Sequence, residues 1–318
     1  MSTGCMEDEQ GQSHSENDDP PNKRTKLIEA RDLFRRRGFC IVSGFLSHTQ
    51  VEALAKECML IMSDAQGQIR QQETPPNAPL ATNWLMHRHG CVLQVPLNDG
   101  GGGRCRSHRD AYLQARPDNQ IVKDLLFGQE LRRIVECLLG GPACLYNEQY
   151  IVKPPNCERA VFKWHTDADF QEEGTERKPY LSVWCALDDV HEDNGTLYLL
   201  PYPPSPESSR VLGNNDATTC GEVSEDALHR AASERYPDRT ALQNPGMDEG
   251  TPVIISRGSA VIMSDRLLHC SSGNMSENLR RVWMPQFSLG PVLRQTADEM
   301  SRGRSRVPAS LAVPLTAS

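Results

Sequence analysis

Three His-x-Asp pairs stand out in this chain: His108-Arg109-Asp110, His165-Thr166-Asp167 and His191-Glu192-Asp193. Two imidazoles and one carboxylate on one face of a metal leave its other positions open for a cosubstrate and O2, as in non-haem iron oxygenases. A pair two residues apart on a strand supplies two such donors, because residues i and i+2 point the same way. The first pair sits in a polar, basic run (RCRSHRDAY) behind a glycine-rich loop. The third lies in a turn region that faces water. Only the second continues a strand-like segment, AVFKWHTD, which makes His165 and Asp167 the candidate metal ligands. The third donor must come from a distant strand packed opposite. His269, in SAVIMSDRLLHCSSGN, follows a strand and starts a turn. A lone histidine there is more often structural; what raises it is Arg280, eleven residues on in ENLRRVW. A fixed guanidinium can grip the far carboxylate of a dicarboxylic cosubstrate with two parallel hydrogen bonds. Arg281 competes for that task and points to the other face.

Strands must present these groups, and the second half of the chain supplies them. Val-, Ile-, Leu- and Tyr-rich segments separated by turns predict strands at about 143–153, 160–166, 180–187, 196–201, 252–256, 259–264 and 281–289. Asp193-Asn194-Gly195 predicts a hairpin turn between WCALDD and TLYLLP. Upstream, LIEARDLFRRRG reads as a helix closed by Gly38, and FCIVSGF as a strand. Ser47 and Gln50 have capping-box spacing, and Leu46 and Val51 flank the cap as a hydrophobic staple. A helical region over about 119–139 is broken at Gly128 and ended by Gly140-Gly141-Pro142. Between these helices, QQETPPNAP and the run Asn98–Gly103 read as loop. The expected fold is mainly β with flanking helices, a double-stranded β-helix (a cupin-like jelly roll). Residues 1–26 form a disordered acidic tail, 27–295 the domain and 296–318 a C-terminal tail. The Pro-, Ser- and Asp-rich stretch 203–250 is an insertion and a candidate lid.

Composition narrows the class. With 38% hydrophobic and 24% charged residues, the chain suits a soluble globular protein. No apolar run has the ~18–20 residues of a membrane span, and the N-terminus has no apolar core of a signal peptide. A formal net charge of −8 argues against a protein that tracks a phosphate backbone, so neither nucleic acid nor membrane is an expected partner. Eleven cysteines without metal-type spacing predict free, buried thiols and an intracellular, cytoplasmic setting. The run Asn22-Lys23-Arg24-Thr25-Lys26 offers a nuclear-import reading beside the plainer one of a basic patch.

Taken as a set, these residues resemble the phytanoyl-CoA dioxygenase family of Fe(II)- and 2-oxoglutarate-dependent oxygenases. That family's pattern reads here as His165-Thr166-Asp167, then His269, Asn274, Ser276 and Arg280. RDLFRRRGFCIVSGFLS, LLGGPACLYNEQYIVKPP, LSVWCALDDVHEDNGTLYLLP and RGSAVIMSDRLLHCSSGNMSENLRR are similar to its opening, barrel entry, central hairpin and closing motif. The resemblance implies Fe(II) held by His165, Asp167 and His269. It implies 2-oxoglutarate held by Arg280, with Gln149 and Trp184 lining its pocket, and Arg106 or His108 near a further basic position used by some relatives. It further implies that O2 and 2-oxoglutarate are consumed, with succinate and CO2 released, as a small-molecule substrate is hydroxylated at a C–H bond, ascorbate being supportive. Gly or Ala in place of Asp167 would have opened a halide position and suggested halogenation; the aspartate favours hydroxylation. An acyl-CoA substrate would want basic residues near the mouth, where Arg88, Arg104, Arg106 and Arg109 stand as candidates beside the plainer reading of a solvated basic loop. Two other classes remain in view: a catalytically silent jelly-roll binding or regulatory protein, and a non-redox metal-dependent cupin enzyme. Substrate identity and oligomeric state are not legible in the sequence.

Overall fold

The structure, a computed structural model, describes residues 21–71, 85–87, 92–94, 119–170, 177–202, 250–292 and 313–315. The expectations for the tail before Pro21, for 203–249, and for Arg88, Arg104, Arg106, His108, Arg109 and Asp110 lie outside the described residues.

Among the described residues four α-helices come first: α1 (Pro21–Arg37), α2 (His48–Gln71), α3 (Gln120–Leu126) and α4 (Gln129–Leu139). The first begins upstream of Leu27. Proline suits a first helical position, since its φ is already helical and its missing N–H is one the helix cannot use. Its end is as expected: Gly38 takes φ +78 and its N–H donates to the Phe34 carbonyl at 2.8 Å. The capping box at the start of α2 forms in both directions. Ser47 N donates to Gln50 Oε1 at 2.8 Å, and Gln50 N to Ser47 Oγ at 3.3 Å. Leu46 and Val51 are buried beside it. Gly128 separates α3 from α4, and Gly140 closes α4 in the left-handed conformation.

The strands among the described residues are β1 (Phe39–Val42), β2 (Leu85–His87), β3 (Val92–Gln94), β4 (Ala143–Lys153), β5 (Phe162–His165), β6 (Tyr180–Ala186), β7 (Leu197–Leu200), β8 (Thr251–Pro252), β9 (Ala260–Ser264), β10 (Leu268–Ser271), β11 (Arg280–Leu289) and β12 (Val313–Pro314). They build a large sheet in the order β1-β9-β6-β11-β4-β3-β2, with β12 also on β4, and a small sheet in the order β5-β10-β7-β8. All pairings are antiparallel, giving the double-stranded β-helix. The helices bury Leu54, Cys58, Val122, Leu126 and Val135 with Leu145, Tyr150, Val152, Trp283 and Phe287 on the outer face of the large sheet. Between the sheets, Trp184, Val261, Met263, Val282 and Met284 meet Leu197 and Leu199 of β7.

Several elements differ from expectation. β6 and β7 are not a hairpin: β6 lies between β9 and β11 in the large sheet, while β7 joins β10 and β8 in the small one. Gly195 does make a turn, at φ +86, but a turn signal marks a reversal without naming a partner. Every residue of β6 is buried, so it is a central strand that needs two neighbours. The strand expected over 252–256 shortens to Thr251–Pro252, with Ile255 bridging Val190 instead. β2 and β3 are too short to show a period, and β12 falls inside the expected C-terminal tail, where Leu315 is buried. Among the described residues all seven cysteines are free thiols, five of them buried, and no helix is long and apolar enough to cross a membrane.

Candidate metal centre

β5 and β10 pair with His165 opposite His269 and Phe162 opposite Ser271. Three steps on β5 (162 to 165) thus match two on β10 (269 to 271), which is a bulge. A bulge re-aims side chains. Here it puts Phe162 and His165 on the same inward face, which plain alternation would forbid. The two rings lie 6.4 Å apart, and the His165 and His269 rings 4.3 Å. His269 sits within a strand, not at the turn after one.

Asp167 arrives by another route than the expected one. The strand ends at His165, and Asp167 opens a 3-10 turn, Asp167–Phe170. That turn is pinned by Thr166 N donating to Asp169 Oδ2 at 3.1 Å and Ala168 N to the Asp265 carbonyl at 2.8 Å. The carboxylate still meets the imidazoles. One donor atom from each of His165, Asp167 and His269 lies within 4.8 Å of the others, and His269 Nε2 is 3.7 Å from Asp167 Oδ1.

Each of the three is held from behind. His165 Nδ1 lies 2.6 Å from the Lys163 carbonyl and His269 Nδ1 2.9 Å from the Leu267 carbonyl. A carbonyl only accepts, so both Nδ1 atoms carry the proton and Nε2 is the atom each ring can offer to a metal. Asp167 Oδ2 accepts from Ser182 Oγ and, at 3.2 Å, from Gln286 Nε2. Gln286 also donates to Ser182 Oγ at 2.8 Å and accepts from Asn147 Nδ2 at 2.8 Å. One carboxylate oxygen is thus engaged, and the other, Oδ1, is the one beside His269. Burial pushes the neighbouring Cys270 thiol up to about 12, so it stays protonated and offers no competing thiolate. Two imidazoles and a one-sided carboxylate fit a divalent transition metal with positions to spare.

Arg280 is buried on the inward face of β11, its Nη2 donating to the Gly195 carbonyl at 3.0 Å and its guanidinium carbon 5.5 Å from the Trp184 ring centre. Trp184 is buried on β6 two residues beyond Ser182, so the large sheet runs from the carboxylate's support towards the guanidinium along one face. Gln149 shares the Asn147 side of β4, directly opposite Met284, and is half-buried. Arg281 turns outward and holds Asp188 with Nη2 at 2.6 Å and Nε at 3.0 Å. Asn274 and Ser276 support the site at one remove. The Asn274 amide, fully buried, donates to the carbonyls of Lys153 and Asn278 and accepts from Ser276, tying the β10–β11 loop to the end of β4. His191 and Asp193 lie at the surface.

Ser182, Gln286, Asn147 and Phe162 belong to this site and were not singled out from the sequence. The usable signal was polarity at inward positions of otherwise apolar strands: serine in YLSVWCA and glutamine in RRVWMPQFSL.

Compared with curated proteins by sequence, the chain finds no match. Among solved structures it is similar to the non-haem alpha-ketoglutarate-dependent carbocyclase SnoK from nogalamycin biosynthesis. The TM-score is 0.51 at 18% identity, over 91% of this chain and 93% of that one. It is also similar to the non-haem alpha-ketoglutarate-dependent epimerase SnoN from the same biosynthesis. There the TM-score is 0.52 at 16% identity, over 92% of this chain and 100% of that one. At such identities these likenesses bear on the fold. The sequence model for phytanoyl-CoA dioxygenase matches residues 34–282, a span that holds His165, Asp167, His269 and Arg280, and the chain belongs to that family.

Proposed function

We propose that this protein is an Fe(II)- and 2-oxoglutarate-dependent oxygenase that hydroxylates a C–H bond of a small molecule. One observation carries the reading. Three donors from a strand, a turn and an opposing strand meet within 4.8 Å, on a barrel interior that also holds a buried guanidinium. A non-redox metal enzyme needs the first feature but not the second.

Bound iron and 2-oxoglutarate supply the oxidation: O2 is consumed, 2-oxoglutarate becomes succinate and CO2, and one oxygen atom enters the substrate C–H bond. The chain's own residues do the rest. The carbonyls of Lys163 and Leu267 keep both imidazoles in the tautomer that offers Nε2. Ser182 and Gln286 hold one oxygen of Asp167, so the other is the donor. Arg280 receives the far carboxylate of 2-oxoglutarate, where its planar fork gives two parallel hydrogen bonds. Trp184, Val282 and Met284 wall the interior and keep water from the oxidant. Oxidising a C–H bond requires no general base, and none is assigned.

The test is succinate release by purified protein with Fe(II), ascorbate and 2-oxoglutarate across substrate classes, beside His165→Ala. Release well above the variant, with one oxygen atom gained by the substrate, is expected. Ligand-induced thermal stabilisation without succinate would instead indicate a silent binding protein. Succinate with a product that gains no oxygen would keep the cofactors and reject hydroxylation, leaving cyclisation or epimerisation of the kind named for SnoK and SnoN.

A further inference from the structure

Lys153 ends β4 directly opposite Arg280, which begins β11. Asn147, Gln149, Ile151 and Lys153 share one face of β4; Gln286, Met284, Val282 and Arg280 share the matching face of β11. Both cations therefore point into the barrel, where they are 0% and 1% exposed. Like charges on directly opposed residues repel, and desolvating each is costly. Two cations on one inward face make that end of the barrel suited to an anionic group.

Both side chains meet Gly195. Arg280 Nη2 donates to its carbonyl at 3.0 Å, and a Cβ added there would stand 2.5 Å from Lys153 Cδ and 3.3 Å from Nζ. Only glycine leaves room for the lysine, and at φ +86 only glycine is unstrained. The ammonium then crosses to the small sheet, donating to Ser271 Oγ at 2.7 Å and to the Ser272 carbonyl. It lies 5.4 Å from the centre of the Phe162 ring, itself 6.4 Å from that of His165. Ser271 is two residues beyond His269 on the same strand. Lys153 is thus one ring and one serine away from the two candidate imidazole ligands, on the side where Arg280 stands.

We infer that Lys153 is a second cationic determinant for the cosubstrate's far carboxylate, sharing it with Arg280 and selecting oxoacids that carry a far negative charge. The inference rests on the function proposed above. The plainer role is a strap between the two sheets through Ser271 and Ser272, which would act on stability and not on ligand charge.

Two variants separate these roles: Lys153→Met, which keeps length and removes charge, and Lys153→Arg, which keeps charge. The protein is loaded with Mn(II) in the absence of O2. Affinity and the rise in unfolding temperature are then measured with 2-oxoglutarate and with 2-oxobutyrate, which lacks the far carboxylate. Lys153→Met should weaken 2-oxoglutarate about tenfold or more, leave 2-oxobutyrate unchanged, and raise the cosubstrate KM with kcat little altered; Lys153→Arg should restore part of the loss. Equal 2-oxoglutarate affinity in wild type and Lys153→Met, or equal losses for both oxoacids, overturns the inference and leaves the proposed function standing. Wild-type protein that binds 2-oxobutyrate and 2-oxoglutarate equally, or neither, overturns both. Should Lys153→Met fail to fold, a wild-type complex with 2-oxoglutarate decides. Nζ within about 3.2 Å of the far carboxylate, or one bridging water from it, supports the inference; a larger separation rejects it.

Discussion

The large sheet buries polar side chains on both faces, and the same two strands supply both sets. Outward, Tyr150 donates to Glu57 Oε1 at 2.8 Å, Asn119 to Glu57 Oε2 at 2.6 Å and Trp283 to Glu148 Oε1 at 2.7 Å. Each bond joins two elements: β4 to α2, the cap of α3 to α2, and β11 to β4. Inward, Asn147 passes a bond to Gln286, which passes one to Asp167. That chain leads to a carboxylate oxygen and two imidazole nitrogens directed at one point. A donor matched to a buried acceptor stabilises the fold. Acceptors gathered on one another cost stability until a cation joins them. The outward set joins elements of the fold, whereas the inward set gathers donors at one point, where a cation would bind.

Breaking the inward set should cost function in graded steps. The largest effect is expected for His269→Ala. Removing a ligand should abolish succinate release and exceed the ~10–100-fold that loss of a supporting partner costs. Arg280→Leu comes next. Truncating one side of a buried charge pair costs about 2–5 kcal/mol, so the cosubstrate KM should rise by at least roughly thirtyfold, with metal affinity retained. Metal titration and KM measured on one preparation separate the two cases; an unchanged KM would remove Arg280 from the site. Gln286→Leu is smaller again. It frees Asp167 Oδ2 from one of its two named donors, so metal affinity should fall about 10–100-fold while the KM for 2-oxoglutarate, referred to metal-loaded protein, stays put. A change in KM alone would place Gln286 on the cosubstrate side.

What could be seen in the sequence was what is decided locally or by chemical type. The Ser47–Gln50 box closes within one turn, so four residues announce it. His165, Asp167, His269 and Arg280 stood out because few residue types can do their proposed work. Strand partnership was hidden, because it depends on distant neighbours: β6 and β7 flank a strong turn yet belong to different sheets. The bulge in β5 was hidden for the same reason, since register is a property of two strands. Asp167 shows how one error can leave a result intact. The i, i+2 argument fails because the strand stops at His165, but the pinned turn delivers the carboxylate to the same place. Arg280 and Arg281 were separable in advance because alternation holds along β11, and the outward one has an aspartate waiting at 2.6 Å.

The outward set gives the mildest test, one that should leave catalysis alone. Glu148 has its carboxyl raised well above the ordinary value of 4.5, by burial first and by the nearby Glu57 second, with the Trp283 hydrogen bond acting in the opposite sense. Its folded value therefore exceeds its unfolded one. Below about 4.5 both states bind the proton and Glu148 adds no pH dependence. As pH rises from there the unfolded state ionises while the folded one keeps its proton. This group's contribution falls through that window and levels off above the folded value. Glu148→Gln keeps an acceptor for Trp283 and cannot ionise. The variant should be as stable as wild type or slightly less so in acid, and more stable at pH 8, with cosubstrate KM unchanged. Urea unfolding midpoints at pH 5 and pH 8 read this directly. A wild-type-to-variant difference with the same sign and size at both pH values would mean that Glu148 is ionised in the fold, and the outward set would then hold a buried charge.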